Sequence, residues 1–237
     1  MYQLYIANKN YSSWSMRPWL VLQAFDIPFE EIMLSFPSER DTGTFKQDVL
    51  AINPNGKVPA LTDDRLLLWD SLAICEYLAE QHPEQNLWPK NSQQRARARC
   101  IAAEMHSGFP HLRNACGMNI RTNLTEVGKR LWQENAELRE DVARIEQIWS
   151  ERPEAQGFLC GAFSIADAFY APVVTRLMSY ALPVSDATQQ YMQTMMQHPA
   201  MQAWVTAALQ EDAWVNYLEP YQQLVLYYSL ASTKRSR

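Results

Sequence analysis

A proline set inside a short apolar run restricts the fold of this chain more than any other feature. In Asn53-Pro54-Asn55-Gly56-Lys57-Val58-Pro59-Ala60-Leu61, turn-forming residues lead directly into Val58-Pro59. Proline withdraws a ladder donor, so within sheets it belongs at strand ends, edges and bulges. An X-Pro bond is also the one place where a cis peptide costs little. A cis bond here turns the backbone N–H and C=O of Val58 outward, like a strand edge one residue long. Nine residues after Leu61, Asp70-Ser71-Leu72-Ala73-Ile74 opens an apolar helical pattern with an acid and a hydroxyl. The first N–H groups of a helix lack intrahelical acceptors and favour an anion such as a carboxylate. Strand edge and helix start together predict a receptor for a small acidic peptide.

The surrounding residues supply a frame for that pair. Tyr2 to Ala7 reads as a first strand. Ser15-Met16-Arg17-Pro18 predicts a helix start, with Ser15 as the hydroxyl cap and Pro18 in the first turn. Phe29 to Leu34 alternates and predicts a second strand. Residues 36–52 predict a loop carrying a short helix. Val58 to Leu61 and Leu66 to Trp69 predict a hairpin, and Ser71 to Gln81 a helix stopped at His82-Pro83. This order, βαβ then helix then ββα, is that of an α/β thioredoxin-like domain, expected over residues 1–85. Pro83 to Pro89 reads as a linker. Beyond it the pattern is all-α, with helices expected over 92–120, 126–150, 164–179, 186–197 and 199–210. This second domain is expected over 91–228, with a frayed tail at 229–237. Within it, Ser164-Ile165-Ala166-Asp167 predicts a capping box in which Asp replaces the usual Glu. Asp167 is read as a buried structural acid.

Composition narrows the function classes. The chain has 237 residues, 47% of them hydrophobic, and only 7 glycines, so it can bury a large core. Its formal net charge of −5 argues against a nucleic-acid partner. Arg95, Arg97 and Arg99 alternate with alanine and spread over more than one helix face, as a solvated surface does. No apolar run approaches the roughly 18 residues of a membrane span, and Met1 to Ala7 lacks the basic segment and apolar core of a secretory signal. Cys75, Cys100, Cys116 and Cys160 form no CxxC pair, which predicts a reduced, cytoplasmic protein. His106 and His111 stand five apart, the wrong spacing for two ligands on one helical face, so no metal is expected.

Taken in order, the serine-rich first turn, the Val-Pro hairpin, the acid-serine helix start, the linker and the Ser-x-x-Asp box resemble the cytosolic glutathione S-transferases over nearly the whole chain. Tyr11-Ser12-Ser13-Trp14-Ser15-Met16-Arg17 is most similar to the zeta class, with Trp14 standing where that class has a cysteine. The segment from Asn8 to Ser15 also resembles a bacterial branch of transferase-like proteins. The resemblance implies glutathione as co-substrate. Val58, before Pro59, would pair with its cysteinyl backbone. Ser71 would hold the γ-glutamyl carboxylate, Asp70 the ammonium, and Lys57 the glycyl carboxylate. It also implies a homodimer acting in detoxification.

The first turn would then activate the thiol. A free thiol has a pKa of about 8.5 and is mostly protonated at neutral pH. A hydroxyl donor and the positive end of a helix both favour the anion. Ser12 is the first candidate and Ser13 and Ser15 are rivals, Ser15 also reading as a plain cap. Tyr11 and Tyr5 are further donors to consider. No cysteine precedes Cys75, which disfavours disulfide exchange by a protein thiol. Trp14, Met105, His106 and Phe109 are expected to wall the pocket for a small electrophile, although a Met or aromatic on a helix is usually core. Two alternatives stay open. One is a zeta-type cis–trans isomerase of a maleyl keto acid, with Arg113, Arg121 or Arg176 meeting an extra carboxylate. The other is a non-catalytic, transferase-like binding module.

Overall fold

The computed structural model describes residues 1–37 and 44–221. The first part of the chain runs β1 (Tyr2–Ile6), α1 (Ser13–Ala24), β2 (Phe29–Met33), α2 (Phe45–Ile52), β3 (Ala60–Asp63), β4 (Leu66–Trp69) and α3 (Ser71–Gln81). The four strands form one sheet in the order β2-β1-β3-β4. β1 is parallel to β2 and antiparallel to β3, and β3 is antiparallel to β4. This is the thioredoxin-like topology expected. Strand β1 buries Leu4 and Ile6 on one face, the period-two pattern of a strand with one covered side. The register opposes Tyr5 to Ala60 and Ala60 to Trp69, so Pro59 falls just outside the ladder.

Helix α1 is the central packing element. Met16 through Leu22 are all buried, as are Ser13 and Ser15. A helix covered on nearly every side needs partners all round. Its partners are α3 and two later helices, α8 (Ile165–Ser179) and α10 (Pro199–Gln210). The helix starts three residues earlier than expected, with Ser12 and not Ser15 as its N-cap residue. Ser15 is therefore not the cap: its Oγ accepts the Ala7 N–H at 3.3 Å from inside the first turn. Pro18 likewise lies inside the helix, not in its first turn.

After the linker, which carries a 3-10 turn at Pro83–Gln85, come α4 (Ser92–Ser107), α5 (Pro110–Ala115), α6 (Thr125–Glu134), α7 (Ala136–Ser150), α8, α9 (Asp186–Gln197) and α10. Two helices expected to be continuous are broken. The first stops at Gly108-Phe109, where Phe109 has φ 56° and Pro110 begins α5. Proline has no N–H for an i−4 carbonyl, so it suits a helix start and not an interior. The second break is at Asn135, whose side chain accepts the Leu138 N–H at 2.8 Å and caps α7. Among the described residues, no helix is long and apolar enough to cross a membrane. The expected tail at 229–237 lies outside the described residues.

The capping box at Ser164 is present in both directions. Asp167 is fully buried and accepts from Leu159 N at 2.9 Å, Ser164 N at 3.0 Å and Tyr191 Oη at 3.0 Å. Burial pushes its carboxyl up to about 6, against donors that pull it down. The same region is tied to the linker, since Ile165 N donates to Leu87 O at 3.0 Å. Removing one side chain orphans several buried donors, each a substantial desolvation cost. Asp167→Ala is expected to lower unfolding free energy by about 2–5 kcal/mol, as measured by denaturant titration.

Candidate active site

A cleft of about 700 Å³ opens at the seam between the sheet and the helices. One wall is the turn entering α1: Tyr11, Ser12, Ser13 and Trp14. The second is Asn55 to Pro59, and the third Trp69, Asp70 and Ser71. The peptide bond between Val58 and Pro59 is cis, as the sequence led us to expect. Among the described residues, the backbone N–H and C=O of Val58 have no hydrogen-bond partner. Asparagine side chains hold this segment in place. Buried Asn53 donates from Nδ2 to Lys57 O at 2.8 Å, and Asn55 Oδ1 accepts the Lys57 N–H at 2.8 Å. Gly56 has φ 65°, a conformation that side chains with a Cβ rarely adopt, so glycine suits this turn. The Lys57 side chain makes no ion pair among the described residues and lines the cleft.

The start of α3 is divided between Asp70 and Ser71. Asp70 is the N-cap, at φ 74°, and its Oδ1 accepts from Leu72 N at 2.8 Å and Ala73 N at 3.4 Å. Its Oδ2 meets His106 Nε2 at 3.2 Å. These bonds leave the Ser71 N–H, which has no intrahelical acceptor. Ser71 Oγ is buried and also has no partner. A buried, unpaired hydroxyl carries a desolvation cost. Two donors on one residue therefore converge on the cleft wall, the arrangement that binds a carboxylate.

The three candidate serines separate clearly. Ser12 and Ser13 line the cleft. Ser15 is fully buried and does not line it. Ser12 Oγ donates to Ser15 Oγ at 2.7 Å, and Ser13 Oγ accepts from Arg176 Nη2 at 3.1 Å. Tyr11 also lines the cleft, but its hydroxyl is already committed: it donates to Glu219 Oε1 at 2.6 Å and accepts from Arg121 Nη2 at 2.9 Å. Burial and Glu219 push the phenol up to about 12, so Tyr11 stays neutral. Tyr5 Oη donates to Gln3 Oε1 at 3.3 Å, within the strand.

The expected electrophile wall needs correction. Trp14 does line the cleft, 36% exposed. Met105 and Phe109 do not: both are buried in the core, because the break at Gly108 turns Phe109 inward toward Tyr170. His106 stands behind Trp14, ring centroids 5.3 Å apart, and shapes the cleft without lining it. The apolar wall is completed by Phe36, Phe45, Trp69 and Leu218. Sequence reading missed these because they come from distant segments. Phe36 is held there by a tertiary bond, its N–H donating to Asn8 Oδ1 at 2.7 Å across 28 positions, which no local pattern announces. The three arginines considered for a substrate carboxylate are engaged inside the protein. Arg121 holds Tyr11 and the carbonyls of Glu211 and Ala213, Arg176 holds Ser13, and Arg113 donates to His106 O at 3.1 Å. Among the described residues, no cluster of His, Cys, Asp or Glu could hold a metal.

The chain is similar to known proteins over most of its length. The family model for the glutathione S-transferase N-terminal domain matches residues 11–81, and that for the C-terminal domain matches 110–207. Together the two span more than half of the chain, and it belongs to the cytosolic glutathione S-transferase superfamily, on its zeta-like side. Glutathione S-transferase GstB of Escherichia coli (strain K12) is 42% identical over 82 residues, which cover 33% of this chain and 38% of that protein. Maleylacetoacetate isomerase of Pseudomonas aeruginosa is 37% identical over 120 residues, covering 50% and 55%. The isomerase of Rattus norvegicus is 29% identical over 185 residues, covering 77% and 81%. The chain thus spans 38% of GstB and 55% of the bacterial isomerase. Among solved structures, a sphingomonad glutathione S-transferase complexed with glutathione has a TM-score of 0.66 at 23% identity, covering 88% of this chain and all of that one. A glutathione transferase from Methylococcus capsulatus has a TM-score of 0.64 at 23% identity, covering 88% and 98%. At such identity the likeness shows the shared fold.

His106 tests the electrostatics of this site. Burial lowers its pKa first, Arg17 and Arg113 add to that, and the Asp70 carboxylate opposes them. Asn can replace Asp as a helix cap with little loss. Asp70→Asn is therefore expected to keep α3 intact and move the His106 titration further down, as followed by proton NMR against pH.

Proposed function

We propose that this protein is a glutathione transferase that joins the thiolate of glutathione to a small electrophile. The observation carrying this reading is the buried, unpaired Ser71 hydroxyl beside its own N–H, facing the unpaired backbone of Val58 across one cleft. Ser71 takes the γ-glutamyl carboxylate through both donors. Val58 pairs by its N–H and C=O with the cysteinyl unit. Lys57 meets the glycyl carboxylate. Asp70, whose side chain is 46% exposed, accepts from the ammonium while it caps α3. The reading is supported by the glutathione complex of the sphingomonad neighbour.

With the peptide so held, the sulfur lies toward Ser12. Ser15 accepts from Ala7 N and retains its own proton. Rotation of two hydroxyls then turns the Ser12–Ser15 contact into a relay: Ser15 donates to Ser12, and Ser12 to the sulfur. The positive end of α1 adds to this stabilisation. The thiol proton passes to solvent. The sulfur lone pair forms the bond to carbon, and the leaving group departs with its bonding pair. Holding both reactants in one cleft replaces a bimolecular encounter. Trp14, Phe36, Phe45, Trp69 and Leu218 form the apolar surface for the electrophile. In this reading residues 1–85 bind glutathione and also carry most of the apolar surface for the electrophile, to which the helical domain, 91–228, adds Leu218, in a cytoplasmic homodimer.

A second reading is favoured by Arg17. It is buried behind Trp14, its Nε and Nη1 have no partner, and its guanidinium lies 4.1 Å from the centre of the Trp14 ring, which lines the cleft. An acidic second substrate would meet its charge through that ring and not by direct contact, as in a maleyl keto acid isomerase that uses glutathione as a returning cofactor.

Calorimetry with glutathione tests the main reading. Micromolar-to-millimolar binding is expected, weakened about tenfold by Ser71→Ala, equivalent to about 1.4 kcal/mol. No binding heat from the wild-type protein overturns it. Turnover of a chlorodinitrobenzene-type compound against a maleyl keto acid then separates transferase from isomerase. Ser12→Ala is expected to reduce the ultraviolet thiolate absorbance of bound glutathione at neutral pH; an unchanged signal reassigns that role.

A further inference from the structure

Arg176 crosses from the helical part of the protein to the thiol-activating turn. It lies in the last turn of α8 and is buried. Its Nη1 donates to Arg113 O at 3.3 Å and to Cys116 O, which aim the guanidinium, and its Nη2 donates to Ser13 Oγ at 3.1 Å. A guanidinium has donors and no acceptor, so the direction of this last bond is unambiguous. Ser13 is thereby an acceptor toward Arg176, and its own proton has no acceptor among the described residues. Ser13 is also the first residue of α1, at the positive end of that helix, and lines the cleft. Ser12 differs, because its proton is given to Ser15 until the pair reorients.

Resting on the glutathione reading above, we propose that Arg176 is a positioning residue that fixes Ser13 as a second hydroxyl donor to the glutathione sulfur. A charged donor to a hydroxyl oxygen polarises its O–H and strengthens the bond that O–H gives. The helical domain thus takes part in ionising the thiol without touching it. Arg176 keeps its charge in the neutral range: burial lowers its pKa to about 10, with Arg113 adding to the fall and Cys116 and Tyr180 opposing it. The other titratable groups around the turn are Tyr11, Lys57 and Asp70 in the cleft, and Arg17, Arg113 and His106 behind Trp14.

The test is a double-mutant cycle on the full chain, using Ser13→Ala, Arg176→Met, both together, and Arg176→Lys. Thiolate absorbance of bound glutathione is recorded against pH, with affinity from calorimetry and melting temperature from circular dichroism. Each single variant is expected to raise the apparent pKa of the bound thiol by about half a unit to one unit, with affinity within about twofold. In the Ser13→Ala background, Arg176→Met is expected to lose at least half of its effect. Arg176→Lys, which retains the charge and one donor, is expected to be intermediate. Additive effects overturn the proposal, because they mean Arg176 acts only as a distant charge. An unchanged profile in Ser13→Ala also overturns it. That variant retains the two carbonyl bonds of Arg176, so it decides the matter even where Arg176→Met fails to fold. Absence of glutathione binding in the wild type instead removes the glutathione reading itself, and this proposal with it.

Discussion

The segment from Asn8 to Ser13 is fastened by the rest of the protein, and the cleft depends on that fastening. Asn8 O accepts from both Tyr11 N and Ser12 N. Glu211 reaches back from beyond α10, its carboxylate taking Lys9 N at 2.6 Å and Asn10 N at 3.1 Å. Trp204 Nε1 donates to Lys9 O at 3.1 Å. Asn10, fully buried, donates to Asn119 at 2.9 Å and accepts from Arg121 N at 2.9 Å. A connecting loop whose backbone is buried must have its polar groups satisfied. Here the helical domain satisfies them, so the position of Ser12 and Ser13 is set by residues about a hundred or more positions away.

Charge is buried along the same seam. Lys9 pairs with Glu31 and lies 5.4 Å and 5.7 Å from the rings of Trp19 and Trp204. Trp19 Nε1 donates to the other oxygen of Glu31 at 2.6 Å. Glu219 is buried between Tyr11 and Asn119, at 2.6 Å and 2.7 Å. Lys9 and Glu219 are buried, and leaving either without its partners is costly. These contacts therefore act on geometry: they hold the turn and α1 against the helices in one orientation. Leu218 lines the cleft next to Glu219, so the contact that fixes the turn also brings the C-terminal segment over it.

Local signals made a large part of this protein legible. The hairpin, the stop at His82-Pro83 and the box at Ser164-Asp167 each rest on residues within a few positions of one another; the stop and the box were found where expected, and the hairpin with its first strand two residues later, at Ala60–Asp63, because Pro59 cannot join the ladder. Val58-Pro59 and Asp70-Ser71 were legible for the same reason. Ser15 was misread because Ser-x-x-Pro resembles a helix start, while Ala7 N draws its hydroxyl inward. Met105 and Phe109 were misread because a helix pattern does not say which buried face meets a cleft and which meets the core.

The sequence by itself determined the order of elements, the βαβ–α–ββα frame, the outward-facing edge at Val58 and the donors at Ser71. Short-range sterics and capping decide these, and they are complete within a few residues. Only the tertiary structure decided which serines face the cleft, that Tyr11 is committed to Glu219, that Arg176 ends on Ser13, and that Phe36, Phe45 and Leu218 form the apolar wall. Those facts depend on contacts between segments far apart in the chain. No periodicity encodes such contacts, because they arise only when α8, α10 and the C-terminal segment close around α1.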